Sequence, residues 1–214
     1  MTKYPLQQHP APVGYYSATR EGRDVESVVL HYTGTYDYNA TVSGFVRSRP
    51  KGRRVSTHFV IGREPGEACI MVPLNFAAWH AGNRDMNMHS IGIEIVNLGG
   101  MNREKRNGRY YRDDSDVYVE LKPRNGVICE PFGPYDYYEK YNDWQYCAVS
   151  DICGWLMTAF DVGLQDIIGH SDVSPGRKFD PGPAFNWDRF KTQAIEAYKY
   201  ASVDDDLTIS YMDD

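Results

Sequence analysis

SIGIEIVN, residues 90–97, sets Ile91, Ile93 and Ile95 on one face of a strand and Gly92, Glu94 and Val96 on the other, because side chains alternate across a strand with a period of two. Glu94 is thus a carboxylate embedded in an otherwise apolar strand, a costly placement unless the group is paired, hydrated in a cleft or chemically employed. Upstream, ESVVLHYT (residues 26–33) is an apolar, β-branched run of the kind found in strands buried on both faces, and it carries His31 near its end. Between these two, THFVIGREPGEACIMVP (residues 57–73) holds two apolar runs about a Pro-Gly turn, which predicts a hairpin with His58 at its entry. Downstream, the short apolar run QDIIGH delivers His170.

Helical periodicity fills the gaps between these strands. Residues 39–48 place Val42, Phe45 and Val46 on one side, residues 142–160 repeat Trp144, Ala148, Ile152, Trp155 and Ala159, and residues 186–201 align Trp187, Phe190, Ala194 and Tyr198. Helices alternating with strands predict an α/β fold: a single domain with a central mixed β-sheet flanked by helices. Its expected limits are residues 25–201, after an extended lead-in at 1–24 and before an acidic tail at 202–214. From about 99 to 141 periodicity weakens and tyrosine and charge accumulate, which marks an insertion. There VYVEL and VICEP flank the turn PRNG and predict a further hairpin.

Composition narrows the function. With 42% hydrophobic and 24% charged residues the chain reads as a soluble globular protein, and no apolar run approaches the roughly 20 residues that span a bilayer. The N-terminus, MTKYPLQQHPAPVGYY, has no apolar segment of the kind a secretory signal needs, so synthesis in the cytoplasm is expected, with action in the cytosol or after release. Net charge is −6, yet the last twelve residues hold five Asp and no basic residue, leaving a nearly neutral body that excludes nucleic acid as the expected partner. Cys69, Cys129, Cys147 and Cys153 form neither a CxxC pair nor a regular framework and are expected as free thiols.

The densest chemistry lies in HSDVSPGRKFDPG, residues 170–182, which packs one imidazole, one ammonium, one guanidinium and two carboxylates into a loop stiffened by Pro175 and Pro181. Lys178 and Asp180 stand two apart and project to one side of extended backbone. From the residues alone the loop reads either as a site or as a surface connection with incidental ion pairs, and spacing does not pair His31 with His170.

Five stretches in order, LHYTG (30–34), STHFVIG (56–62), AAWHAGN (77–83), SIGIEIVN (90–97) and GHSDVSPGRKFDPGPAF (169–185), resemble the type 2 N-acetylmuramoyl-L-alanine amidases, a family that includes cell-wall recycling enzymes and phage lysozymes and shares its fold with the peptidoglycan recognition proteins. The resemblance implies that His31, His170 and Asp180 bind one zinc ion, that Glu94 and Lys178 are catalytic, and that His80 and Arg177 lie near the substrate. Two imidazoles and one carboxylate would leave the fourth position of a tetrahedral zinc for water, as hydrolytic sites require. Glu94 would serve as general base and Lys178 would meet the developing oxyanion. Burial should raise the Glu94 pKa while zinc pulls it down. For His80 and Arg177 a structural hydrogen bond and a solvated cation remain the alternative readings. The implied activity is hydrolysis of the lactyl–L-Ala amide of peptidoglycan or muropeptides by a monomer. The competing functions are a non-hydrolytic peptidoglycan receptor and a phage lysozyme that also binds an intracellular partner.

Overall fold

A computed structural model of the chain describes residues 2–20, 22, 24–102, 109–114 and 117–203; most of the acidic tail therefore lies outside the described residues. In chain order the first half comprises β1 (Gln7–Gln8), β2 (Tyr16–Ser17), β3 (Ser27–Tyr32), α1 (Tyr38–Val46), β4 (Phe59–Ile61), β5 (Ala68–Ile70), β6 (Ala77–Ala78), α2 (Arg84–His89) and β7 (Ser90–Ile95). The second half comprises β8 (Gly100–Met101), β9 (Tyr110–Asp114), β10 (Val117–Leu121), β11 (Val127–Phe132), β12 (Tyr135–Glu139), α3 (Asp143–Phe160), β13 (Ile167–Gly169), α4 (His170–Val173) and α5 (Trp187–Val203).

Six strands form the central sheet in the order β1-β5-β4-β7-β3-β13. The predicted hairpin is the antiparallel pair β4–β5, while β4, β7, β3 and β13 run parallel to one another, so the sheet is mixed as expected. Val28 and Leu30 of β3, Phe59 and Ile61 of β4, and Ile91, Ile93 and Ile95 of β7 face one layer, where they pack against Ala148, Val149, Ile152 and Leu156 of α3 and Phe190 and Ala194 of α5. The opposite face packs Val60, Cys69 and Val96 against Tyr38 and Val42 of α1. Residues between the apolar positions of β3 and β7 are thereby turned toward the α1 side. Since His31 pairs with Glu94 in the β3–β7 register, these two polar side chains emerge there as neighbours.

The extended lead-in contributes to the body: β1 adds to the sheet edge beside β5, β2 pairs with β6, and the Arg20 guanidinium is buried, donating to the carbonyls of Leu74, Met88 and Ser90. Two expectations change. The α3 helix starts at its Asn142 capping box, but its deepest face runs through Gln145, Val149, Cys153 and Leu156 as well as Ile152, while Trp144 and Trp155 pack at the edge of the core. VYVEL and VICEP do not pair with each other. β10 pairs with β9, and β11 pairs with β12, which is tied on its other side to β8. The buried side chains of β12, Tyr138 and Glu139, anchor it to the body, whereas β11 is largely exposed, and an exposed strand does not specify its own register.

Among the described residues no helix is long and apolar enough to cross a membrane. All four cysteines are free thiols, with Cys69 and Cys153 buried.

Candidate metal centre

Three chain segments meet on the α1 side of the sheet. His31 comes from the end of β3, and His170 starts α4 directly after β13, whose Gly169 pairs with Leu30. Asp180 is folded back onto the same point, its carbonyl accepting from the Ser171 amide at 2.9 Å. His31 Nδ1 lies 2.9 Å from His170 Nδ1 and 2.9 Å from Asp180 Oδ2, and His170 Nδ1 lies 3.0 Å from the same oxygen. All three side chains are buried. Burial pushes the His31 imidazole below its ordinary pKa. Burial alone would raise the Asp180 carboxyl, but the imidazoles of His170 and His31 beside it hold it below the usual carboxylate range.

Two ring nitrogens and one carboxylate oxygen therefore converge in a buried space, where they are held together by a shared proton or, with both nitrogens carrying lone pairs, by a cation between them. The donor set suits a divalent ion of intermediate softness and leaves coordination capacity for water. Among the described residues this is the one cluster of His, Cys, Asp or Glu that fits a metal ion.

The cluster forms part of the wall of a cavity of about 540 Å³, which Glu94, Lys178, Arg177, His80, Trp79, Tyr135 and Phe179 also line. Glu94 Oε2 is buried without a hydrogen-bond partner. Burial, reinforced by the Asp180 charge and opposed by Lys178, pushes the Glu94 carboxyl up to about 8. Arg177 is exposed, donates to Ser174 Oγ at 2.6 Å, and its guanidinium lies over Gly82.

His80 lines the cavity, yet both of its ring nitrogens contact protein atoms: Nδ1 lies 2.9 Å from His31 Nε2 and Nε2 lies 3.2 Å from Ser90 Oγ. These contacts fit the reading of His80 as a structural hydrogen-bond partner of His31 at the cavity wall. Burial, then the neighbouring His31, keep this imidazole well below its ordinary pKa. His58 is structural as expected, with Nδ1 accepting from the Gly92 amide at 2.9 Å, and burial followed by Arg20 lowers it to about 3.

Neither the role of Ser90 nor that of Asn87, whose Oδ1 accepts from the amides of both His80 and Ala81, follows from a pattern that stands out in the sequence. One signal pointed there: a lone glycine inside a strand often marks a close approach by another group. Any Cβ on Gly92 would overlap the His80 ring.

The N-acetylmuramoyl-L-alanine amidase family model matches residues 21–183. The chain is 30% identical over 147 residues to the 1,6-anhydro-N-acetylmuramyl-L-alanine amidase AmpD of Salmonella typhimurium, a match covering 68% of this chain and 61% of that protein. It is 25% identical over 186 residues to the N-acetylmuramoyl-L-alanine amidase AmiD of Escherichia coli, covering 81% and 55% respectively. The chain thus spans about three fifths of the length of the curated relatives it matches. A crystal structure of AmpD superposes with a TM-score of 0.55 at 25% identity, covering 88% of this chain and 93% of that one. AmpDh3 of Pseudomonas aeruginosa has the same fold, with a TM-score of 0.55 at 24% identity over 90% of this chain and 66% of that one. With the family model matched across most of its length, the chain belongs to the N-acetylmuramoyl-L-alanine amidase family.

Proposed function

We propose that this protein is a zinc-dependent N-acetylmuramoyl-L-alanine amidase, hydrolysing the amide between the lactyl group of muramic acid and L-alanine in peptidoglycan or its muropeptide fragments. The observation that carries the reading is the convergence of His31, His170 and Asp180 beside a carboxylate, Glu94, with an unpartnered oxygen in the same cavity. His31 and His170 through Nδ1 and Asp180 through its carboxylate would hold one zinc ion. Bound there, zinc supplies Lewis acidity, the property that makes water nucleophilic at neutral pH.

Glu94 takes the proton from the attacking water as its oxygen adds to the amide carbon, and returns a proton to the nitrogen as the C–N bond breaks. The negative charge that builds on the former carbonyl oxygen is met by the Lys178 ammonium, whose charge is felt by both His31 and Glu94. Arg177, exposed at the mouth of the cavity, is placed to fork onto a carboxylate of the stem peptide. All these groups come from one polypeptide, so a single chain suffices for the reaction.

The relatives' names favour small muropeptides as substrates: AmpD is a 1,6-anhydro-N-acetylmuramyl-L-alanine amidase, and E. coli AmiD has been solved with anhydro-N-acetylmuramic acid-L-Ala-D-gamma-Glu-L-Lys. Mass spectrometry of reactions with anhydro-muropeptide and with intact sacculi tests the proposal. The expected products are a peptide with free N-terminal L-alanine and a sugar acid with a free lactyl carboxylate, lost on chelation and restored by added zinc. Retention of both substrates uncut, with zinc present, would replace the hydrolase by a receptor.

A further inference from the structure

We propose that the dipeptide His80–Ala81 is the orienting element of the metal centre: it receives the outward N–H of both metal histidines and so determines which nitrogen of each ring faces the cation. The inference rests on the reading of His31, His170 and Asp180 as ligands, and deepens it.

Two backbone carbonyls at the ends of this network can only accept. Ser90 Oγ lies 2.6 Å from the Met86 carbonyl, which has no proton to give, so the hydroxyl donates. Its lone pairs are then available to His80 Nε2 at 3.2 Å, which donates in turn. A neutral His80 protonated on Nε2 carries its lone pair on Nδ1, where it accepts from His31 Nε2 at 2.9 Å. His31 is left with a lone pair on Nδ1, the atom facing His170 and Asp180.

The second ring is set by the next residue. His170 Nε2 lies 3.2 Å from the Ala81 carbonyl, again an atom that only accepts, which places the proton on Nε2 and the lone pair on Nδ1. Two carbonyls, those of Met86 and Ala81, thereby dictate the tautomers of three imidazoles and aim two lone pairs at one point. Outer contacts of this kind orient metal-bound histidines and raise their basicity.

The dipeptide is itself held. Asn87 Oδ1 accepts from the His80 amide at 3.1 Å and the Ala81 amide at 2.8 Å, and the α2 helix that carries Asn87 is capped by Asn83. On the sheet side the His80 ring fills the space over Gly92 that a side chain would otherwise take. His80 and Asn87 are positioning residues: they act on the metal through His31 and His170 and do not touch the reacting atoms.

The test is the zinc affinity of the full chain, measured by competition with a chromophoric chelator, together with the visible spectrum of the cobalt-loaded protein. His80→Phe keeps a ring over Gly92 and removes both nitrogens; it is expected to weaken zinc binding by about 10- to 100-fold and to alter the cobalt bands. His80→Asn, whose amide lies where Nδ1 was, should recover most of the affinity, whereas His80→Gln, which reaches toward the former Nε2, should not. Ser90→Ala removes only the hydroxyl that ends the proton chain and should weaken zinc several-fold, which keeps the inference testable if His80→Phe does not fold. Stoichiometric zinc with wild-type affinity in His80→Phe, or in Ser90→Ala where that variant stands in, overturns the orienting role and leaves the metal centre standing. A wild-type chain that takes up no zinc overturns both.

Discussion

Arg63 and Glu139 are buried as deeply as His31, His170 and Asp180, yet the two clusters are completed in opposite ways. The Arg63 guanidinium meets Glu139 through two nearly parallel hydrogen bonds of 2.8 and 2.6 Å, and the same carboxylate accepts from the amides of Leu98 and Arg124, both at 2.8 Å. Four donors satisfy the carboxylate, with Arg63 Nε the one polar side-chain atom of the pair left without a partner, and the pair works as a staple that fastens the inserted β12 to the end of β4. At the other cluster, two ring nitrogens and a carboxylate oxygen face one another and the adjacent Glu94 keeps an oxygen without a partner. Buried polar groups in a folded protein are paired as a rule, and a carboxylate left open inside a cavity is a candidate for chemistry rather than support.

Asp180→Asn puts the greatest strain on this contrast. The substitution keeps the size of the side chain and removes its charge, so metal content measured by atomic absorption after dialysis should fall to background and hydrolysis with it. Glu94→Gln should retain one zinc per chain while turnover falls by about 10²- to 10⁴-fold, the usual contribution of a general base; loss of zinc in that variant would move Glu94 from base to ligand.

Arg63→Ala should do the converse. Leaving Glu139 buried without its partner is expected to destabilise the fold by about 3–5 kcal/mol in urea titrations, with zinc affinity unchanged in the folded fraction. A parallel loss of zinc would merge the two regions into one.

The smallest effect is a pH slope. In the metal-free chain burial raises Glu94 from an ordinary 4.5 to about 8, so the folded state keeps a proton that the unfolded chain has already released. That contribution to stability is complete below pH 4.5 and is lost as pH rises through about 8. Thermal midpoints of the metal-free protein should decline across this window, the decline should flatten in Glu94→Gln, and zinc should reduce it by favouring the carboxylate.

The strands that carry the site were legible because burial constrains them. β3 and β7 lie inside the sheet, their apolar residues leave little choice of face, and Glu94 stands out there without any alignment. The insertion was not legible in the same way. β11 is mostly exposed, so its alternation carries little information about its neighbour, and the predicted hairpin joined two strands that each pair elsewhere. The Arg63–Glu139 staple left no trace because its partners are 76 residues apart and neither belongs to a periodic pattern.

His80 shows the same limit at the site itself. The motif AWHAG placed it near the cleft, but what it does depends on where two ring nitrogens end up, and those distances exist only once β6, α2 and β7 have packed.

By itself the sequence determined the sheet's central strands and the helices that cover it, since periodicity follows from which side chains must leave water, while the residues able to hold a metal were legible only through the resemblance of its motifs to a known family. Only the tertiary structure decided which atoms meet: the two ring nitrogens and one carboxylate oxygen drawn to one point, the orphaned oxygen of Glu94, and the backbone carbonyls of Met86 and Ala81 that orient the rings. Hydrogen bonds are directional and join residues distant in the chain, so their pattern belongs to the assembled fold rather than to any segment of it.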